Sequence, residues 1–444
     1  MYLIYSFLVT LGILATAPYH LWKRRRELAG GRWRERFGWL PEAFQQPARG
    51  AVWVHAVSVG ETLAVVRLVR DLQATFPERK IFLSAVTPAG RAAGESRLPS
   101  LAGRFYLPLD WRGAVRAALR RIRPGLLVIV ETELWPNLLR SARESGARII
   151  LVNARLSVRS FRRYRLLGPL MRRVLEPVDV ICAQSADDAE RFRDLGAAPE
   201  RVIMSGNLKF DSEPPRFAAF HSLLKNALRA VGRGPILIAA STMPGEETMV
   251  LDVWRRIRAQ HCASLLILAP RHPARFEEVA QNLADSGCNY VRRTRLACQE
   301  AEICRQVASP EVLLLDTIGE LAGILELAQV VFVGGSLVTT GGHNILEPAY
   351  WAKPVIFGPH MENFGDIARL FLAADAAIQV RNTEELGTIV LKLFADPTAA
   401  EQWGRRGRQV LEGEAGATAR VLEQIRGLLD PKSELRDTSV LSQR

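Results

Sequence analysis

From Ala51 onward the chain alternates short, almost wholly apolar runs with longer stretches of helical periodicity, and this alternation restricts its fold more than any other feature. Candidate strands are 51–57, 80–86, 125–131, 147–153, 178–184 and 201–206. A second series follows at 235–241, 263–270, 311–316, 329–335, 354–359 and 376–380. Runs such as GLLVIVE and ASLLILAP do not alternate with polar residues, as expected for parallel strands buried on both faces. The Pro- and Gly-punctuated stretch from Asp211 to Pro235 separates the two series. The pattern predicts an α/β chain of two Rossmann-like, doubly wound domains facing a central cleft, 23–212 and 235–430, with a linker at 213–234 and a loose polar tail at 431–444.

Residues 1–22 contain no Asp, Glu, Lys or Arg and are followed at once by Lys23, Arg24, Arg25 and Arg26. An uncharged run of this length, with Tyr19 and Trp22 near its end and a basic stop behind it, predicts a membrane-anchoring helix with the rest of the chain in the cytoplasm, the alternative being a buried core helix at the start of the fold, since Thr10, Gly12, Thr16 and Pro18 weaken the span. A secretory signal would place the positive charge before the apolar run. The net charge of +13 has a second concentration: seven arginines (Arg155, Arg159, Arg162, Arg163, Arg165, Arg172 and Arg173) with no acidic residue among them, interleaved with Phe161, Tyr164, Leu166, Leu167 and Met171. Such a stretch suits lipid phosphates, or forms a solvated helix face. No nucleic-acid recognition signature accompanies it. The five cysteines include no CxxC pair and no histidine at zinc spacing, so neither a disulfide framework nor a zinc site is expected.

Motifs that follow strands carry the chemistry. His55-Ala-Val-Ser-Val-Gly-Glu61 ends a strand in a turn and opens a helix, which makes Glu61 either a first-turn acid favoured by the helix dipole or a general base. Glu131-Thr-Glu133 follows a buried strand, where a carboxylate needs a partner, and Lys209 of Gly206-Asn-Leu-Lys-Phe-Asp211 can supply one, as a catalytic pair or as a structural ion pair. In the second half, Ala269-Pro-Arg-His-Pro273 brings a cation and an imidazole to a strand end, able to hold an anionic oxygen without a metal. Gly334-Gly-Ser336 and Gly341-Gly-His-Asn-Ile-Leu-Glu347-Pro348 give close backbone approach and then a helix start, suited to phosphate, with Glu347 able to accept from ribose hydroxyls. There is no GxGxxG and no Walker A sequence.

Taken together, the apolar start with its basic stop, VHAVSVGE, VETELWPN, LVNARLS, GNLKFD, APRHPARF and GGSLVTTGGHNILEPA resemble the 3-deoxy-D-manno-octulosonic acid (Kdo) transferases of lipopolysaccharide assembly over nearly the whole chain. The resemblance implies a GT-B glycosyltransferase that uses CMP-Kdo, needs no cofactor or metal, and inverts configuration as it transfers Kdo to a lipid A precursor, lipid IV-A, at the cytoplasmic face of the bacterial inner membrane. It implies Glu61 as general base, with Glu131 and Lys209 supporting the transition state. It also implies CMP contacts at Pro270 and Arg271, at Ile318, Gly319 and Glu320, and at Asn344, Ile345, Leu346 and Glu347. The family more often has methionine where this chain has Ile318. The anionic inner membrane is then the expected partner, and nucleic acid is not. Two other readings stand beside it: a GT-B transferase using a UDP-sugar and a lipid acceptor, and a non-enzymatic membrane-bound nucleotide-binding protein.

Overall fold

The computed structural model describes residues 2, 5–7, 9–12, 15, 32–46, 50–211 and 219–429. The chain divides into two compact units, one of 1–213 together with 414–444 and the other of 214–413. In the first, β1 (Ala51–His55), β2 (Ile81–Ala85), β3 (Gly103–Tyr106), β4 (Pro124–Val130), β5 (Arg148–Ala154), β6 (Val180–Ala183) and β7 (Val202–Met204) form a parallel sheet in the order β3, β2, β1, β4, β5, β6, β7. Trp53, Phe82, Leu127 and Leu151 belong to the core on one face, and Val52, Val54, Leu126 and Val128 to the core on the other. Burial on both sides is why these segments read as unbroken apolar runs.

The second unit repeats the plan with β8 (Ile236–Thr242), β9 (Leu265–Pro270), β10 (Tyr290–Arg292), β11 (Val312–Leu314), β12 (Val330–Val333), β13 (Val355–Phe357) and β14 (Ile378–Gln379). Its order is β10, β11, β9, β8, β12, β13, β14, again all parallel. All twelve expected strands are present among the described residues, and β3 and β10 are additional. Both additional strands lie at sheet edges, where a short segment carrying Gly103 and Arg104, or Arg292, needs only one partner and shows little apolar signal.

The domain boundaries differ from those expected. The helix Ala417–Leu429 belongs to the first unit, where Ala417, Val421 and Ile425 join the core that contains Leu208. The Asp211 carboxylate accepts the Gly416 and Thr418 amides, and the Arg420 Nε donates to the Ser205 carbonyl at 2.7 Å. The second unit therefore ends at 413 and not at 430. Most of the expected linker is the helix Ala219–Ala230 of the second unit, with Phe220, Leu224, Ala227 and Leu228 buried. Periodicity marks such a helix as amphipathic, but it does not say which sheet the apolar face will cover. Residues 212–218 and the tail 430–444 lie outside the described residues.

No helix among the described residues is long and apolar enough to cross a membrane. Most of the anchor expected at 1–22, and its basic stop at 23–26, lie outside the described residues. Those that are described pack on the first unit: the Tyr2 hydroxyl donates to the Arg173 carbonyl at 3.1 Å, the Arg140 guanidinium lies 4.5 Å from the Tyr2 ring centroid, and Ser6 exchanges hydrogen bonds with Asn137.

One buried acid determines how the segment after β4 is held. Asp110 accepts the Asn137 and Leu138 amides at 3.0 and 2.8 Å, capping the helix Pro136–Glu144, and the Asn137 side chain returns a bond to the Asp110 carbonyl. Burial pushes the Asp110 carboxyl up, while these donors hold it down. Asp110→Ala leaves buried amides without partners and is expected to lower unfolding free energy by about 2 kcal/mol, measurable by denaturant titration. An unchanged midpoint would show that water replaces the cap.

Candidate active site

In the first unit the strand order reverses between β1 and β4, and the segments leaving these two strands carry Glu61, in the first turn of a helix, and Glu131. Ser58 caps the helix Val59–Ala64, accepting from the Glu61 amide, and its hydroxyl donates to Glu61 Oε1 at 2.9 Å. The Val57 amide donates to Glu61 Oε2 at 2.8 Å. This reciprocal cap folds the carboxylate back toward the end of β1, leaving Glu61 8% exposed. Burial pushes its carboxyl up to about 7, against the Val57 and Ser58 bonds that favour the ionised form, while Glu131 and Glu133 push it further up. Glu61 is thus a first-turn helix cap whose buried carboxyl is held near neutrality. Burial also pushes Glu133 up.

Glu131 follows β4 with φ +58, a left-handed conformation that a non-glycine residue adopts at a cost of about 1–3 kcal/mol. Its Oε1 lies 3.9 Å from Lys209 Nζ. Lys209 arrives by a tertiary route. Asn153, fully buried at φ +55 where the pairing of β5 with β6 shifts register, accepts the Leu208 amide at 2.9 Å, and Asn207 accepts the Lys209 amide at 3.0 Å. Glu61, Glu131 and Lys209, expected as a set, are therefore brought to one edge of one sheet, and Asn153 is the buried support that the sequence did not single out.

In the second unit the order reverses between β8 and β12. Pro270 closes β9 and Arg271 follows, its amide donating to the Thr242 carbonyl at 3.0 Å. Burial, with the positive charge of Arg271 and then His272 acting in the same direction, lowers His343 to about 4. An anion arriving there would be welcome. The helix following Asn344 is only Leu346–Tyr350, too short to offer much of a macrodipole, so the expected helix-start contribution is small. Asn344 accepts the Leu346 amide at 3.1 Å and donates to Glu347 at 3.2 Å, fixing the start of the NILE segment.

Ile318 is 68% exposed and Gly319 has φ +90, which presents the turn backbone outward. Glu320 is committed elsewhere: Arg293 holds both of its oxygens at 3.0 and 2.8 Å, Thr317 donates to it, and the guanidinium stacks 3.3 Å from the Phe220 ring centroid. In this arrangement Glu320 anchors the turn. Trp351 ties the same region to the NILE helix by donating to the Ala322 carbonyl at 2.7 Å.

Two parallel, doubly wound units in tandem, one with an acid cluster and the other with cations and glycine turns at the strand ends, give the chain a GT-B-like fold. The fold is shared with UDP-GlcNAc 2-epimerase from Neisseria meningitidis, with a TM-score of 0.55 at 12% identity over 85% of this chain and 99% of that one. The family model described as 3-deoxy-D-manno-octulosonic-acid transferase (kdotransferase) matches residues 31–212. Over its length the chain is 35% identical to the 3-deoxy-D-manno-octulosonic acid transferase of Bordetella pertussis, covering 94% of this chain and 97% of the relative. The corresponding enzyme of Haemophilus influenzae is 33% identical, covering 89% and 91%. The chain belongs to the Kdo transferase family, and it is a glycosyltransferase of lipopolysaccharide biosynthesis.

Proposed function

We propose that this enzyme transfers Kdo from CMP-Kdo to a lipid A precursor, with inversion and without a metal. The observation that carries the proposal is the buried Glu61 carboxylate, held by Val57 and Ser58 and raised to about 7. In the proposed step the acceptor hydroxyl attacks the anomeric carbon of Kdo and Glu61 takes its proton. The bond from that carbon to the phosphate oxygen of CMP breaks, and the electron pair leaves with CMP. Lys209 beside Glu131 supports the transition state, and Arg271 offers positive charge to the departing phosphate. Pro270, Ile318, Gly319 and the Asn344–Glu347 segment provide backbone and polar contacts to CMP, with Glu320 holding its turn.

The acceptor face is proposed to meet anionic membrane through the helix Val158–Arg165 and the turn after it. That helix buries none of its residues, and Leu166, 85% exposed, is preceded by Arg159, Arg162, Arg163 and Arg165. Exposed leucine flanked by arginines combines insertion with attraction to lipid phosphates.

The test is product analysis by mass spectrometry after incubation with lipid IV-A and, separately, CMP-Kdo or UDP-sugars. Addition of Kdo with release of CMP is expected only from CMP-Kdo, and the same spectra count the Kdo units added. Product from a UDP-sugar with none from CMP-Kdo would overturn the donor assignment.

A further inference from the structure

The Gly334-Gly-Ser336 turn after β12 has the glycine content of a phosphate loop, yet its amides already hold an anion that belongs to the protein. Glu246, the first residue of the helix Glu246–Gln260 after β8, is 0% exposed. Its Oε1 accepts the Ser336 and Leu337 amides at 3.0 and 2.9 Å, and its Oε2 accepts the Gly335 and Met243 amides at 2.6 and 2.9 Å. Three successive amides converging on one carboxylate form an anion nest, filled from within. The fit is close: a Cβ on Gly334 would lie 2.7 Å from the Ser241 carbonyl oxygen and 2.9 Å from Glu246 Oε2. Ser241, at φ +56 where β8 and β9 shift register, bends the strand end to bring this about.

The turn so held is in turn the seat of the next one. The Gly335 carbonyl accepts the Gly342 amide at 2.7 Å and the Thr340 hydroxyl at 2.9 Å, and the Ser336 carbonyl accepts the His360 amide at 3.0 Å. The His343 ring packs over Gly335, with Cδ2 and Nε2 each 3.0 Å from where a Cβ would stand. Displacing Gly335 would therefore displace Gly342, His343 and Asn344.

We infer that Glu246 is a positioning residue for donor binding: its carboxylate occupies the amide nest at the β8–β12 switch point and thereby sets the Gly342–Asn344 segment against the nucleotide phosphate. The inference rests on the proposed CMP-Kdo reading of that segment. It also means that the phosphate binds beside the nest and not in it.

Two measurements on the full chain test it. In the first, Glu246→Gln puts an amide nitrogen against two N–H donors, and is expected to weaken CMP binding by calorimetry and raise the donor KM by about 10- to 100-fold, with the acceptor KM unchanged. Val253→Ala, a core truncation on the same helix, controls for lost stability and should leave CMP affinity unaltered. Equal CMP affinity in Glu246→Gln and wild type, or equal loss in both variants, would overturn the inference. The second measurement is hydrogen exchange on the wild type, which holds even where Glu246→Gln does not fold. Amides 335–337 should be protected without ligand and unchanged by CMP, while 342–344 gain protection. Rapid exchange at 335–337 that CMP suppresses would make the nest the ligand's own site and refute the role of Glu246. Wild type that binds no CMP yet remains protected at 335–337 would instead refute the donor reading, and the positioning role with it.

Discussion

Glu61→Gln is expected to lose transfer by about 10²–10⁴-fold while binding CMP like the wild type, because a general base is worth that much and the proposed donor contacts lie in the other unit. Glutamine is nearly isosteric with glutamate. Its oxygen can still accept from Val57 and its nitrogen can donate to Ser58, so the cap of the helix Val59–Ala64 should survive. The pH profile carries the same expectation. The base must be ionised to work, so wild-type kcat/KM should fall as the pH drops below about 7, where burial has placed the Glu61 carboxyl. A profile flat from about pH 5.5 to 8, or near-normal activity in the variant, would remove Glu61 from the role.

Stability should move the other way. In the folded chain Glu61 titrates above its ordinary value of 4.5, so the fold binds this proton more tightly than the unfolded chain does. The stabilisation is fully present below 4.5 and is lost as the pH rises through about 7. Glutamine never ionises, and Glu61→Gln should therefore be more stable than wild type at pH 8.5 by about 3 kcal/mol, with most of the gap closed at pH 5. Thermal melts at the two pH values measure this. A variant that is less stable at pH 8.5 would mean that the Val57 and Ser58 bonds outweigh the cost of burial.

Lys209→Met is the second large effect, an expected fall in kcat of about 10²-fold with little change in donor KM, the size associated with removing one preorganised charge from a transition state. The alternative is a structural ion pair with Glu131, and the geometry lets the two be separated. The pair is long at 3.9 Å and partly exposed, so as a structural element it is worth under about 1 kcal/mol. If Lys209 only neutralises Glu131, then Lys209→Met combined with Glu131→Gln should recover activity. If Lys209 meets the substrate, the double variant stays as slow as the worse single one. Steady-state kinetics of the four proteins closes the cycle.

Much of this was legible before any coordinates. Glu61, Glu131 and Lys209 stand in short motifs at the strand ends of one sheet and Arg271 in a motif at a strand end of the other, and a parallel sheet places its strand ends along one edge whatever the loops do. Glu246 was not legible as a nest filler, although it follows the strand 235–241 through Met243-Pro-Gly245, because an acid opening a helix looks the same whether it faces solvent or three foreign amides. The partners of Glu320 were not legible either. Its motif marks a CMP segment, but Arg293 and Phe220, remote in sequence, take up its carboxylate.

The amino-acid order by itself determined the fold class, the number of sheets, the family and the charged residues at strand ends, since apolar periodicity and short motifs are properties of neighbours along the chain. Only the tertiary structure decided that the helix Ala417–Leu429 returns to the first unit, that the glycine turn is already occupied, and that Glu61 titrates near neutrality. Each of these depends on which distant groups desolvate, donate to or cover a residue, and no local pattern records them.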